Sequence, residues 1–79
     1  MMSTRAVVRS VTWTVAPDKE PDAEPTTYAM LCVVCSEESE RSENWEAPQT
    51  WVLQHCGRNP SHHSFREIIT RPWRTWMNA

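Results

Sequence analysis

Cys32 and Cys35, two cysteines separated by two residues at the end of an apolar run, constrain this chain more than any other feature of its sequence. Size is the reason. A domain of 79 residues buries only about 60% of the surface its unfolded chain exposes, and apolar burial against chain entropy balances near zero. A disulfide, a metal or a partner is then needed to hold the fold. Three cysteines cannot all pair within one chain, and no apolar stretch near the N-terminus suits a signal peptide or a membrane span. The expectation is a cytoplasmic protein with no membrane contact. In a reducing compartment a C-x-x-C pair is more often a metal clamp or a redox pair than a structural disulfide. Thioredoxin-like redox motifs open a helix after a strand, whereas an acidic stretch follows Cys35 here.

Structural zinc takes four thiolate or imidazole ligands in a tetrahedron, and one tight turn can supply the first two from Cys32 and Cys35. His55 and His62 are the candidates for the second pair, with nineteen residues between Cys35 and His55 and six between the two histidines. Two thiolates, two neutral imidazoles and Zn²⁺ carry no net charge, which suits a partly buried site. The spacing departs from that of the common C-x(2–4)-C-x12-H-x(3–5)-H finger, so the match is to the ligand chemistry and not to that template. Cys56 and His63 are adjacent alternatives. A helical stripe through Trp51 and Val52 favours His55, while one through Val52 and Leu53 favours Cys56. The expected cofactor is one Zn²⁺ per chain, with no open position for catalysis and hence no enzyme.

The rest of the pattern predicts a single α+β domain over residues 1–79, a zinc-finger-like or zinc-ribbon-like ββαβ unit with a short antiparallel sheet and one short helix. Residues 6–15 are rich in β-branched residues and alternate over Val11, Trp13 and Val15, as a strand does. Residues 16–25, with three prolines and four acids, form a solvated connection. A second strand over 26–34 leads into the cysteines, and the acidic stretch 36–46 reads as a loop. Pro48 suits the first turn of a helix, with Pro48, Trp51, Val52 and His55 on one face, and Gly57, the only glycine, marks its end. Period two returns over 63–73, with Pro72 at an edge or a strand end and residues 77–79 as a tail.

The net charge of −2 gives no overall basic excess. Charge is nevertheless uneven: nine of the ten acids lie between Asp18 and Glu46, while Arg58, Arg66, Arg71 and Arg74 face only Glu67 after Gly57. Arg66, Arg71, Trp73, Arg74 and Trp76 are therefore candidate binding residues. They suit a protein partner or self-association through aromatic anchors, or alternatively a nucleic acid on which they would stack and whose charge they would neutralise.

Met30-Leu31-Cys32 through Cys35, Trp51-x-x-x-His55, Asn59-Pro60-Ser61-His62 with Phe65, and Thr70-Arg71-Pro72-Trp73-Arg74 together resemble a family of small proteins of unknown function from actinobacteria and their mobile elements. The resemblance covers about Thr26 to Trp76. It implies His55 and His62 as the second ligand pair and implies no established activity.

Overall fold

In the computed structural model, which describes residues 3–78, the element order is β1 (Thr4–Val8), β2 (Val11–Pro17), β3 (Thr27–Cys32), α1 (Glu46–Arg58), β4 (Phe65–Thr70) and β5 (Trp73–Met77). The fold is α+β with antiparallel pairing throughout. The expected ββαβ order holds, with the first and last strands each doubled. The strands form two sheets, β1-β2-β5 and β3-β4. The chain divides into two compact units, Met1–Pro25 with Arg71–Ala79 and Thr26–Thr70.

In the first unit, the strand expected over 6–15 is a hairpin. Arg9 and Ser10 both take left-handed backbone conformations, φ 53° and 63°, and Val8 pairs with Val11 across them. Two central residues with positive φ match the right-handed twist of the flanking strands. β5 adds to the other side of β2, Trp13 opposite Met77 and Thr14 opposite Trp76. Side chains alternate across the sheet, so register places Val8, Ala6, Val11, Trp13, Val15, Trp73 and Met77 on one face. The other face is tied by polar contacts. The Thr14 hydroxyl is buried and meets Arg5 Nε at 3.3 Å and Asn78 Nδ2 at 2.8 Å. The connection 16–25 begins later than expected, because β2 runs to Pro17, and it is pinned rather than merely solvated. Arg74 donates to Asp18 at 3.0 Å and to Asp22 at 2.7 Å.

The single strand expected over 63–73 is broken at Arg71-Pro72, because proline has no N–H to donate to a ladder. The tail expected at 77–79 is also corrected in part. Met77 belongs to β5, and the Asn78 N–H donates to the Thr12 carbonyl at 2.8 Å. Ala79 lies outside the described residues.

In the second unit, β3 and β4 pair from Thr27–Thr70 to Cys32–Phe65, and α1 packs on β3. The strand expected over 26–34 stops at Cys32, leaving Val33 and Val34 exposed on a turn. The acidic stretch 36–46 lacks regular structure until Glu46 opens the helix, but it is not loose. It runs back along the edge of β3 opposite β4, with bridges Leu31–Glu38 and Tyr28–Ser42. Between those bridges Ser39, itself buried, accepts the Met30 N–H on its hydroxyl at 2.9 Å and donates its own N–H to the Met30 carbonyl at 2.8 Å. The otherwise open edge of β3 is thereby satisfied.

The helix opens where the Asn44 side chain accepts the Glu46 N–H at 2.9 Å, and Pro48 sits in the first turn, where no intrahelical donor is lost. Gly57 does not stop it. The glycine lies inside the helix without positive φ. Closure falls to Asn59, which donates its backbone N–H at 2.9 Å and its side-chain amide at 3.1 Å to the His55 carbonyl. Pro60 then follows, with no N–H to extend the ladder.

Candidate metal centre

Three local structures deliver four ligand atoms to one place. The first is the turn after β3. The N–H groups of Val34 and Cys35 donate to the Cys32 sulfur, and the N–H of Glu37 donates to the Cys35 sulfur. Ser36, in the left-handed region at φ 66°, closes the turn by donating to the Cys32 carbonyl at 2.8 Å.

The second is the inner face of α1. His55 is 2% exposed. Its ring stacks on Trp51 one turn earlier, at 4.8 Å and 18°, and Phe65 meets both rings edge-on, at 5.9 Å from His55 and 6.2 Å from Trp51. Phe65 is the β4 partner of Cys32, so the sheet register that places the cysteine also places the ring against which His55 rests.

The third is the turn after the helix. Asn59, having capped α1, accepts the His62 N–H at 2.8 Å, and this turn brings His62 back to the end of the helix. His55 and His62 lie ring to ring at 5.3 Å.

The ligand atoms of Cys32, Cys35, His55 and His62 all lie within 4.8 Å of one another. His55 Nε2 is 3.2 Å from His62 Nδ1 and 3.5 Å from Cys35 Sγ, and Cys32 Sγ is 3.7 Å from His62 Nδ1. A tetrahedron with Zn–N of about 2.05 Å and Zn–S of about 2.3 Å has edges of about 3.3 Å between nitrogens and about 3.6 Å between sulfur and nitrogen. These three of the six separations match those edges to within about 0.2 Å, and all six lie within 4.8 Å. The donor set suits a metal ion, and these four side chains could hold one.

The sulfurs are unequal. Burial raises the Cys32 thiol pKa, but the Cys35 and Val34 N–H groups and the Cys35 side chain outweigh it and hold the thiol below its ordinary value. At Cys35 the Glu37 N–H favours the thiolate, yet desolvation and the neighbouring Cys32 sulfur push the thiol up. Two sulfurs this close compete for one negative charge, and a cation between them removes the competition.

The alternative ligands stand apart. Cys56 turns its sulfur to the Leu53 carbonyl of its own helix at 3.4 Å, and exposed His63 lies outside the cluster. The candidate binding residues are divided between the two units. Arg66 lies on β4, whereas Arg71, Trp73, Arg74 and Trp76 belong to the other unit. Trp73 and Trp76 fall on opposite faces of β5, and Arg74 is already paired with two carboxylates. Glu37, read from sequence as one more acid of a solvated loop, proves to contact His55. Only the positive φ at Ser36 turns it there, and a serine gives no sign of that in sequence.

Residues 1–79 match a protein family over the whole chain. The protein belongs to the family described as a domain of unknown function, DUF7848. This agrees with the resemblance drawn from the cysteine and histidine motifs and extends it beyond Thr26 to Trp76. No curated protein and no solved structure matches the chain. Among the described residues of this DUF7848 chain, no helix is long and apolar enough to cross a membrane.

Proposed function

We propose that this protein is a small non-enzymatic zinc-binding domain, in which one Zn²⁺ per chain is held by Cys32, Cys35, His55 and His62 and stabilises the unit Thr26–Thr70. The observation that carries this reading is the gathering of the four ligand atoms within 4.8 Å of one another, with three of their six separations, 3.2, 3.5 and 3.7 Å, close to the edges of a zinc tetrahedron. Two thiolates with two imidazoles are a ligand set suited to zinc, and four protein ligands leave no position for a reacting water. The free thiols this requires suit a reducing compartment such as the cytoplasm.

The domain acts by contact with a protein partner or with a second copy of itself. Support comes from the sheet β1-β2-β5, where Val8, Trp13, Trp73 and Met77 are 52%, 37%, 42% and 59% exposed, a concentration of aromatic and apolar side chains of the kind that anchors protein interfaces. A nucleic-acid reading has weaker support, since the arginine nearest the tryptophans is paired and the tryptophans face apart.

Native mass spectrometry with metal analysis on the reduced full chain tests the proposal. One zinc per chain is expected, and the same spectra report the number of copies. A metal-free protein that unfolds cooperatively would refute the zinc reading. Tight binding to DNA or RNA that weakens steeply with salt would replace the protein partner.

A further inference from the structure

We propose that Glu37 is a positioning residue for the metal centre, its carboxylate fixing the tautomer and ring orientation of His55; this rests on the zinc reading above. His55 presents Nε2 to the cluster, at 3.5 Å from Cys35 Sγ and 3.2 Å from His62 Nδ1. A neutral imidazole that gives its Nε2 lone pair to an ion must carry its proton on Nδ1. That nitrogen belongs to a side chain only 3% exposed, and its partner is Glu37 Oε2 at 3.3 Å. The Nδ1–H therefore donates to the carboxylate. A buried donor left without an acceptor is costly, and the opposite tautomer would leave no lone pair for the ion. The carboxylate lies on the ring nitrogen facing away from the cluster, so it acts through His55 and is not itself a ligand.

The same residue ties the cysteine turn. Its N–H donates to the Cys35 sulfur, and its carbonyl accepts the Cys32 N–H at 2.8 Å. Glu37 thus touches three of the four ligand residues, two through its backbone and one through its side chain. Substitution leaves the backbone contacts in place and isolates the carboxylate. Metal-bound histidines commonly donate their second ring N–H to a carboxylate, and removing such a partner weakens metal binding by about 10- to 100-fold. Glu37 is largely solvent-exposed, with 68% of its side chain accessible. The expected loss is therefore at the lower end of that range.

The test compares the full-length wild type with Glu37→Ala, Glu37→Gln and Glu40→Ala. The last removes the same charge from the same loop at a residue whose side chain makes no contact with the ligands. Cobalt titration of the reduced protein comes first, since thiolate-to-cobalt absorption with tetrahedral ligand-field bands reports the centre before any substitution. Zinc affinity by chelator competition should then fall about 10-fold in Glu37→Ala. Glu37→Gln, which keeps an acceptor oxygen, should recover part of the loss, and Glu40→Ala should match the wild type. In the zinc-loaded wild type the ¹⁵N-attached Nδ1 proton of His55 should resist solvent exchange, and in Glu37→Ala it should exchange rapidly. Unchanged affinity and an unchanged His55 signal in Glu37→Ala would overturn the positioning role alone, as would an equal loss in Glu40→Ala. Absence of a tetrahedral cobalt spectrum in the wild type would overturn the zinc reading itself.

Discussion

In Thr26–Thr70 the buried residues are Ala29, Cys32, Ser39, Pro48 and His55, two of them metal-ligand candidates, whereas in Met1–Pro25 with Arg71–Ala79 the one buried residue among those described is the polar Thr14. Thr26–Thr70 gathers its interior where a helix, a sheet and two turns converge on four donor atoms. The other unit holds its strands by backbone ladders and by side-chain ties, Arg5 and Asn78 to Thr14 and Arg74 to Asp18 and Asp22. Its apolar side chains meanwhile stay accessible, Val7 at 70% and Met77 at 59%. A chain this short has too little apolar surface to build two cores. An ion can replace a core in one region, because ligation supplies folding free energy without requiring a large buried area.

The sharpest way to break this comparison is to remove the ion. Cys32→Ser, or chelation of the wild type, should unfold Thr26–Thr70, since structural zinc contributes on the order of 10 kcal/mol. The tryptophans make the effect local. Trp45 and Trp51 belong to that unit, and Trp13, Trp73 and Trp76 to the other. The Trp51 indole N–H, from a ring stacked on His55, should lose its dispersed NMR signal on chelation. Cys56→Ser should melt near the wild type, because its sulfur reaches only a carbonyl of its own helix. An equal loss in the two serine variants would mean that Cys56 is a ligand.

A smaller effect is expected from pH. In the zinc-loaded protein both sulfurs are thiolates and both imidazoles are deprotonated at the ligating nitrogen, so the native state binds fewer protons than the unfolded chain and stability rises with pH. That contribution is complete above the ordinary thiol value of 9.0 and is lost progressively as pH falls below it. Without metal the two thiols act in opposite directions. The lowered Cys32 value favours the fold as pH rises, and the raised Cys35 value disfavours it. Melting temperatures from pH 9 to 6 should therefore slope steeply for loaded protein and weakly for protein held in chelator. Equal slopes would remove the metal from the account of this unit's stability.

On the other side of the comparison, stability should respond to the ladder and its turn. Arg9 and Ser10 occupy left-handed conformations, which disfavour side chains bearing Cβ by roughly 1 kcal/mol each. Arg9→Asn with Ser10→Gly suits those conformations and should raise the stability of the hairpin by about 1 kcal/mol, read as slower hydrogen exchange across β1 and β2. The smallest change expected is at Gly57, where an added Cβ meets nothing within 4 Å. Gly57→Ala should stabilise α1 by about 0.5 kcal/mol, because helical glycine forfeits backbone entropy that alanine does not. Destabilisation instead would restore Gly57 as the helix terminator.

The sequence by itself determined the α+β class of the protein and the composition of its candidate metal centre. A short chain with an unpaired cysteine set needs a staple, and a C-x-x-C with two downstream histidines contains a complete tetrahedral ligand set. Those conclusions depend on residue chemistry and spacing, which a linear sequence states directly. Residue chemistry and spacing left His55 against Cys56 and His62 against His63 open, the family resemblance implied the two histidines, and the tertiary structure brings those two together with the cysteines. That choice depends on which helix face meets Phe65 and on how Asn59 turns the chain, and neighbours in sequence differ there by about 100° of rotation. The strand boundaries divided in the same way. Pro72 announced its break, since a missing N–H is a local fact, whereas the Arg9-Ser10 turn carries no glycine or asparagine and is imposed by the pairing of the strands on either side. Glu37 was legible only as a charge. Its role depends on a left-handed serine that no local preference would select, and on a histidine eighteen positions away whose far nitrogen requires an acceptor.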